Sequence, residues 1–511
     1  MKKLPVGIQT FSKIIEGDYL YVDKTEDIFK LLTVGGDYYF LSRPRRFGKS
    51  LLISTLKEIF SGNKELFKGL WIYDKIGWEQ YPVIHLDFLG LKYGTPEELA
   101  NTLEFMLKKN AETYGIQLKE KGYDKQFNEL IKKLSQKGKV VILVDEYDKP
   151  IINNIEKQDI ARENREILRT FYETIKSSDE YIKFALITGV TKFSKVSIFS
   201  GLNNLDDITV DDRFSTMLGY THRELLHYFK DRMADFPVEK IKKWYNGYSW
   251  DGKNFLYNPL SILNFFNKGK FDNYWFATGT PTFLTKLIRE KQGNIIQFDN
   301  LSVSSYAFDS YDIENMEISP LLFQTGYLTI KEIQTKKDKK KYLLTYPNKE
   351  VRDSFMTYLF REYTRKDLEQ STLLLERISE AVDADDLERF MQEIKSLFAS
   401  IPYHIFIGEK EAYYHTVIYI ILKLCGARII VEDPTNIGRI DAVVETEKRI
   451  YILEFKVGSE HDALAQIKTM NYHEKYLNRG KEIVLMGIGF DPQKRNIKDY
   501  VLEVRDSSNL S

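Results

Sequence analysis

Between residues 36 and 60 the apolar run DYYFLS gives way to a loop of arginines and then to GKSLLISTLKEIF, where apolar positions recur at helical spacing. The pattern predicts strand, loop and helix. Two more runs, PVIHLDF at 82–88 and KVVILVDEYD at 139–148, are followed by polar segments and by helical patterns such as EELANTLEFMLKKNAETYG. Val140 to Val144 show no polar alternation, as expected of a central strand covered on both faces, and FALITGV at 184–190 has the same character. Strands alternating with helices predict a parallel α/β sheet built from these four segments.

From Asp206 to Arg289 the pattern turns mainly helical, with aromatic loops KKWYNGYSW and NYWFATGTPTF, and reads as a helical lid on the sheet. LLFQTGYLTI, KEIQTKKDKKK and YLLTYPN, between 321 and 348, read as a β-hairpin with a charged tip. Its lysines read as a solvated turn, with a DNA-touching wing as the alternative. Residues 352–400 read as helices that connect rather than catalyse. From about Tyr413 a separate α/β unit follows: the helix AYYHTVIYIILKL, the strands RIIVEDP, IDAVVET and RIYILEFKV, the helix ALAQIKTMNYHEKY and a last strand, EIVLMGIGF. The boundaries drawn from this pattern are 1–290, 291–389 and 390–511.

A chain of 511 residues suits about three domains. Lys and Arg total 74 and so do Asp and Glu, so no bulk polycationic attraction to nucleic acid or anionic lipid is expected, and any such contact needs a local basic surface. One cysteine, Cys425, excludes an intrachain disulfide and a thiolate zinc site, and fits a reducing compartment such as the cytoplasm. The start, MKKLPVGIQT, develops no apolar run of signal length. The longest apolar stretch, TVIYIILKLCGARIIV, is broken by Lys423 and Arg428 and falls short of the ~20 residues that span a bilayer, so a soluble protein without a membrane partner is expected. The histidines, His415 among them, show no metal-binding spacing and read as core or surface residues.

Gly48-Lys49-Ser50 alone is a weak signal, because such a triplet arises by chance in roughly one in four chains of this length. Here it follows a strand and opens a helix, which aims backbone N–H groups and the positive helix end at a phosphate. Lys49 would reach the β- and γ-phosphates and the Ser50 hydroxyl would hold Mg²⁺. Arg43 stands where the general pattern has its first glycine, so RPRRF replaces a flexible loop with a stiff cationic one. Pro44 presets the turn, and Arg43, Arg45 and Arg46, followed by Phe47, add charge for a polyphosphate. At the end of VVILVDEYD, Asp145 is the expected Mg²⁺ support and Glu146 the expected group that orients the attacking water. Thr188 and Thr191, at the end of the next strand, read as groups that sense the γ-phosphate or place that water, or else as strand-end caps.

In GRIDAVVETEKRIYILEFKVG, Asp441 precedes a hairpin whose second strand carries Glu454 and Lys456. Alternation puts Glu454 and Lys456 on one face and Phe455 on the other. Two carboxylates that share a divalent cation, with a lysine to stabilise the nucleophile or the developing charge, are what phosphodiester hydrolysis requires.

The amino-terminal half resembles the AAA-ATPase-like domain of many bacterial and archaeal proteins, through LPVGIQTFSKII, YLYVDKT, FLSRPRRFGKSLLISTL, VVILVDEYDKP, LITGVTKFSKVSIFSGLNNLDDIT, and YNGYSW with YNPLS, over roughly residues 4–280. The resemblance implies that the arginine-bearing loop is that family's own phosphate motif and that GIQTFSKIIEGDYLYVDKT lies beside the nucleotide. Residues 390–495 resemble the PD-(D/E)XK nuclease superfamily, which implies a further metal contact from Glu411 and a polar partner in Gln466. Ile440 stands where the superfamily's name has proline. The fold class implied is a P-loop NTPase parallel sheet with a helical lid, plus a carboxy-terminal PD-(D/E)XK nuclease-like α/β domain. The implied function is ATP binding and hydrolysis with Mg²⁺, coupled to metal-dependent cleavage of DNA or RNA. The alternative is a nucleotide-controlled switch or scaffold whose nuclease-like domain is inactive. Nucleic-acid type and oligomeric state stay open.

Overall fold

The computed structural model describes residues 1–192, 198–199, 202, 204–275, 282–291, 295–308, 317–337, 339–402, 411–426, 428–435 and 438–505. The chain divides into two compact units, Met1–Thr280 with Asp299–Val351, and Pro281–Phe298 with Arg352–Ser511. The lysine hairpin therefore belongs to the first unit and the helices after 352 to the second, whereas the sequence pattern grouped both in one connecting region.

In the first unit the strands β1 (Tyr38–Ser42), β2 (Val83–Asp87), β3 (Val140–Asp145), β4 (Ile182–Gly189) and β5 (Asp206–Asp207) form one sheet in the order β2-β3-β4-β1-β5. Every pairing is parallel. β1 and β3 are buried along their whole length, so the unalternating apolar runs are the sheet's interior. Because β4 lies between β1 and β3, the loops that leave β1 and β3 flank the end of β4. A small sheet follows, in the order β6-β8-β7, from β6 (Tyr220–Thr221), β7 (Asn246–Tyr248) and β8 (Leu256–Tyr257), with helices His222–Tyr228, Val238–Tyr245 and Pro259–Lys268 around it. Their core gathers Phe229, Tyr245, Tyr257, Phe265 and Phe266.

The predicted hairpin is present as β10 (Thr329–Lys336) and β11 (Lys339–Thr345), with β9 (Leu301–Ser304) added beside β11. Its first arm was drawn too long: Ile318–Thr325, which includes LLFQT, is a helix closed by Gly326.

The second unit holds the helix Lys349–Thr364 from Arg352 onward, the helices Leu368–Asp383, Leu387–Ser400 and Glu411–Leu424, and a five-stranded sheet. Its strands are β12 (Arg428–Pro434), β13 (Arg439–Glu445), β14 (Arg449–Val457), β15 (Glu482–Asp491) and β16 (Asn496–Arg505), in that order. Only β14 and β15 run parallel, joined by the helix Glu460–Thr469. That helix ends before NYHEKY, because Asn471 takes a left-handed conformation (φ +45°) and a short 3-10 segment follows. β16 is an element that the sequence pattern missed. Among the described residues no helix is long and apolar enough to cross a membrane.

Candidate functional site

Arg43 to Gly48 leave the end of β1 and turn into the helix Lys49–Phe60. Gly48 holds φ +98°, which turns the chain into the helix at a conformation a side chain would strain. Lys49 is only 5% exposed, and its Nζ donates to the carbonyls of Arg43 at 2.9 Å and Pro44 at 3.1 Å. The ammonium thus spans the bend at the helix start. Burial pulls its pKa below the ordinary lysine value, against the opposing pull of Asp145, Glu146 and Asp148.

Among the loop arginines, Arg45 and Arg46 are exposed and Arg43 is not. Arg43 is 1% exposed, lies 4.1 Å above the Trp250 ring, and donates to the carbonyls of Ser42, Thr209 and Phe214. It stiffens the loop from behind instead of adding charge at the front, which corrects the expectation for this one residue. Phe47 is buried edge-on between Tyr248, at 4.8 Å, and Trp250, at 5.1 Å. The YNGYSW aromatics are therefore buttresses of the loop. YNPLS adds another: the Asn258 side chain caps its own helix and reaches the Arg45 carbonyl, which also accepts from Trp275 Nε1 at 3.2 Å.

Asp145 ends β3, and its Oδ1 accepts from the Thr188 hydroxyl at 2.6 Å and from the Glu146 amide at 3.0 Å. The register explains the first bond, since Val144 pairs with Ile187 and Thr188 is the next residue along. Thr188 is fully buried, and its hydroxyl is spent on Asp145 and the Val144 carbonyl, one step back from the cavity described below. Thr191 donates its hydroxyl at 2.7 Å, and its amide also at 2.7 Å, to Asp148 Oδ2. Asp148 is a structural member of the motif that the sequence reading left without a role. Glu146 has φ +53° and pairs with Lys149.

A cavity of about 400 Å³ opens over the loop. Arg45 to Leu52 line one wall, Glu146 and Lys149 another, and Gly7–Gln9, Leu20–Val22 and Lys24 a third. Met217–Tyr220 and Pro259–Leu260 with Leu263 close it with apolar surface. The expectation that GIQTFSKIIEGDYLYVDKT lies beside the phosphate loop matches this wall. That segment is fastened there by the Phe11 amide, which donates to Ser54 Oγ on the loop's own helix at 2.9 Å. A cationic rim, an inward-turned helix start and an apolar remainder fit a polyphosphate attached to an apolar, planar group.

In the second unit β13 and β14 pair as far as Ala442 and Leu453, so continuing the register sets Asp441 against Glu454. Asp441 Oδ2 accepts from the Phe455 amide at 2.9 Å. Glu454 is 1% exposed and accepts from the Gln466 side-chain amide on the helix Glu460–Thr469. Phe455 points to the other face, against His415 at 4.7 Å and Phe490 at 6.1 Å. Lys456 is half-buried two residues after Glu454. His415 Nε2 stands 3.8 Å from Asp441 Oδ2, a neighbour that sequence spacing did not reveal because the helix and the strand are far apart in the chain. Glu411 opens the helix Glu411–Leu424, but its side chain lies outside what the structure describes. Among the described residues no group of three or more His, Cys, Asp or Glu side chains is placed to hold a metal ion. Oxygen donors from Asp441 and Glu454, with Lys456 two residues beyond Glu454 on the same strand, match the chemistry of a hard divalent cation.

A family described as predicted AAA-ATPase matches residues 5–199, and the PD-(D/E)XK nuclease superfamily matches residues 409–500. A protein of Azotobacter chroococcum mcd 1, described as an uncharacterized protein in the vnfD 5′ region, is 40% identical over 516 aligned residues, covering 98% of this chain and 99% of that one.

Proposed function

The chain belongs to the predicted AAA-ATPase family and carries a PD-(D/E)XK nuclease superfamily domain, and from that premise we propose that it binds and hydrolyses ATP in its first unit and cleaves nucleic-acid phosphodiesters in its second. The observation that carries this reading is the cavity of about 400 Å³ bounded by Arg45–Leu52 and Glu146, a size usual for a cofactor site. On binding, Lys49 exchanges the carbonyls of Arg43 and Pro44 for the β- and γ-phosphate oxygens. Arg45, Arg46 and the amides around Phe47 and Gly48 neutralise the rest. Ser50 and Asp145 hold Mg²⁺, which when bound spreads the charge that develops on the phosphates. Glu146, steadied by Lys149, orients the attacking water, and the Thr188 hydroxyl holds Asp145 aimed.

In the second unit Asp441 and Glu454, with Glu411, hold a divalent cation, which when bound polarises a phosphodiester. Lys456 offers its ammonium to the developing charge, and Gln466 fixes the rotamer of Glu454. The test is a cleavage assay in Mg²⁺ on single- and double-stranded DNA and RNA, with and without ATP, comparing wild type, Lys49→Ala and Asp441→Ala. Cleavage that disappears in Asp441→Ala supports the reading. Cleavage that persists there removes it.

The alternative reading is a nucleotide-controlled switch whose nuclease-like domain does not cut. That reading predicts ATP turnover with no cleavage by the wild type in Mg²⁺ or Mn²⁺.

A further inference from the structure

The β10–β11 hairpin combines a rigid root with a strongly cationic end. Ile330 and Leu344 are fully buried at the root, and Tyr342 stands edge-on to Phe308 at 4.6 Å. The Thr329 hydroxyl donates to the Ser249 carbonyl at 3.0 Å and accepts from the Ser249 amide at 2.7 Å. Ser249 lies between Tyr248 and Trp250, the two residues that clamp Phe47 in the phosphate loop.

β9 pairs with β11 from Lys341 to Leu344, and beyond Lys341 the described residues of the hairpin continue as a two-stranded ribbon. Lys341, at the last pairing with β9, and Lys336, Lys337, Lys339 and Lys340 beyond it are all exposed. Asp338 is the one acid in the run 336–341. Lys336 sits directly across from Lys339, a like-charge pair that weakens a hairpin. Among the described residues none of the five lysines forms an ion pair. A chain with zero formal charge thus places five lysines and one acid within residues 336–341.

We propose that this ribbon is an arm that grips the phosphate backbone of a double-stranded nucleic acid. The inference rests on the reading of the second unit as acting on nucleic acid and adds the surface that holds the substrate. A two-stranded ribbon has the width that a major groove admits, and lysines on both of its strands can reach the phosphates on either side. Gln334, Thr335 and the lysines offer no apolar group for a lipid interior, which disfavours a membrane as the partner. The contact is electrostatic and blind to sequence, because no side chain at the end of the ribbon presents a rigid fork to base edges.

The test uses the full chain in EDTA, so that nothing is cut, and the fluorescence anisotropy of labelled duplex DNA and duplex RNA across a salt series. A variant with all five lysines changed to Gln is compared with wild type and with the five-arginine variant. ATP turnover by each variant serves as the check that the first unit is folded. Wild type is expected to bind. The Gln variant should bind roughly tenfold or more weakly, with the slope of log Kd against log salt reduced by about 0.9 for each lysine that met a phosphate, and the arginine variant should bind as wild type does. Wild-type binding with an unchanged Kd and slope in the Gln variant overturns the arm while leaving the nuclease reading intact. No wild-type binding to either duplex also overturns the arm, while the nuclease reading is decided separately by the cleavage assay on single- and double-stranded substrates. Lysine-dependent binding to phosphatidylserine vesicles, without duplex binding, assigns the ribbon to a lipid surface and also overturns the arm.

Discussion

At Thr188 a single hydroxyl decides how Asp145 is held. It donates at 2.6 Å to a carboxylate that is 3% exposed. Thr188→Val should cost about 1–3 kcal/mol in thermal or urea unfolding, through the donor it removes from a buried acceptor. ATP turnover should fall with it, and Thr188→Ser should restore both. A Val variant with full stability and full turnover would show that the bond is incidental. Glu350 makes a second residue-scale case. Its carboxylate is fully buried, accepts from the Trp275 amide at 2.8 Å and the Ser261 hydroxyl at 2.7 Å, and burial pushes its pKa up to about 7. The folded form then holds a proton that the unfolded form has lost between the ordinary glutamate value and about 7. Stability from this group is therefore complete at acid pH and declines as pH rises through that window, by about 3 kcal/mol in all. Glu350→Gln should flatten that decline, and unfolding curves at several pH values compare the two.

One scale up, the packing of the helix Glu460–Thr469 shows what an element needs in order to deliver a side chain. Gly487 in β15 lies so close beneath it that an added Cβ would fall 2.3 Å from the Glu460 carbonyl and 2.6 Å from the Leu464 amide. That proximity brings Gln466 onto Glu454. Gly487→Ala should push the helix outward, lower stability by roughly 1–3 kcal/mol, and loosen Glu454. A circular dichroism melt and the cleavage assay together read both effects, and an unshifted melt would contradict the packing argument. The same contrast separates what was legible in the sequence from what was not. β1 to β4, the loop-to-helix turn at Gly48 and the ExK strand were legible because their signals are local: unbroken apolar runs, a glycine before a helix, alternation along a strand. Arg43 behind Trp250, Asp148 under Thr191, and His415 beside Asp441 were not legible, because each depends on a partner far away in the chain. The segment LLFQTG has a strand-like composition, yet tertiary packing and a glycine stop make it a helix. β16 escaped notice because its NIKDYVLEVR pattern is half exposed and weakly alternating.

At the scale of the whole molecule, the chain joins an AAA-ATPase-like domain to a PD-(D/E)XK nuclease superfamily domain, and the activities proposed for them both act on phosphorus, one on an anhydride and the other on a diester. Its formal charge is zero, so the recognition proposed above is local, at Arg45 and Arg46 for a nucleotide and at the lysine ribbon for a duplex. A ligand that binds only the folded first unit stabilises it, by about 2.7 kcal/mol at a hundredfold excess over Kd. Melting in MgATP should therefore rise for the wild type and stay put for Lys49→Ala. The most direct measurement is calorimetric titration of MgATP into the full chain and into Lys49→Ala, with the melting of each recorded in parallel without nucleotide. The account predicts saturable one-site binding by the wild type, and binding strongly weakened or lost in a variant that still melts cooperatively. Equal binding by both proteins, or none by the wild type, would contradict it.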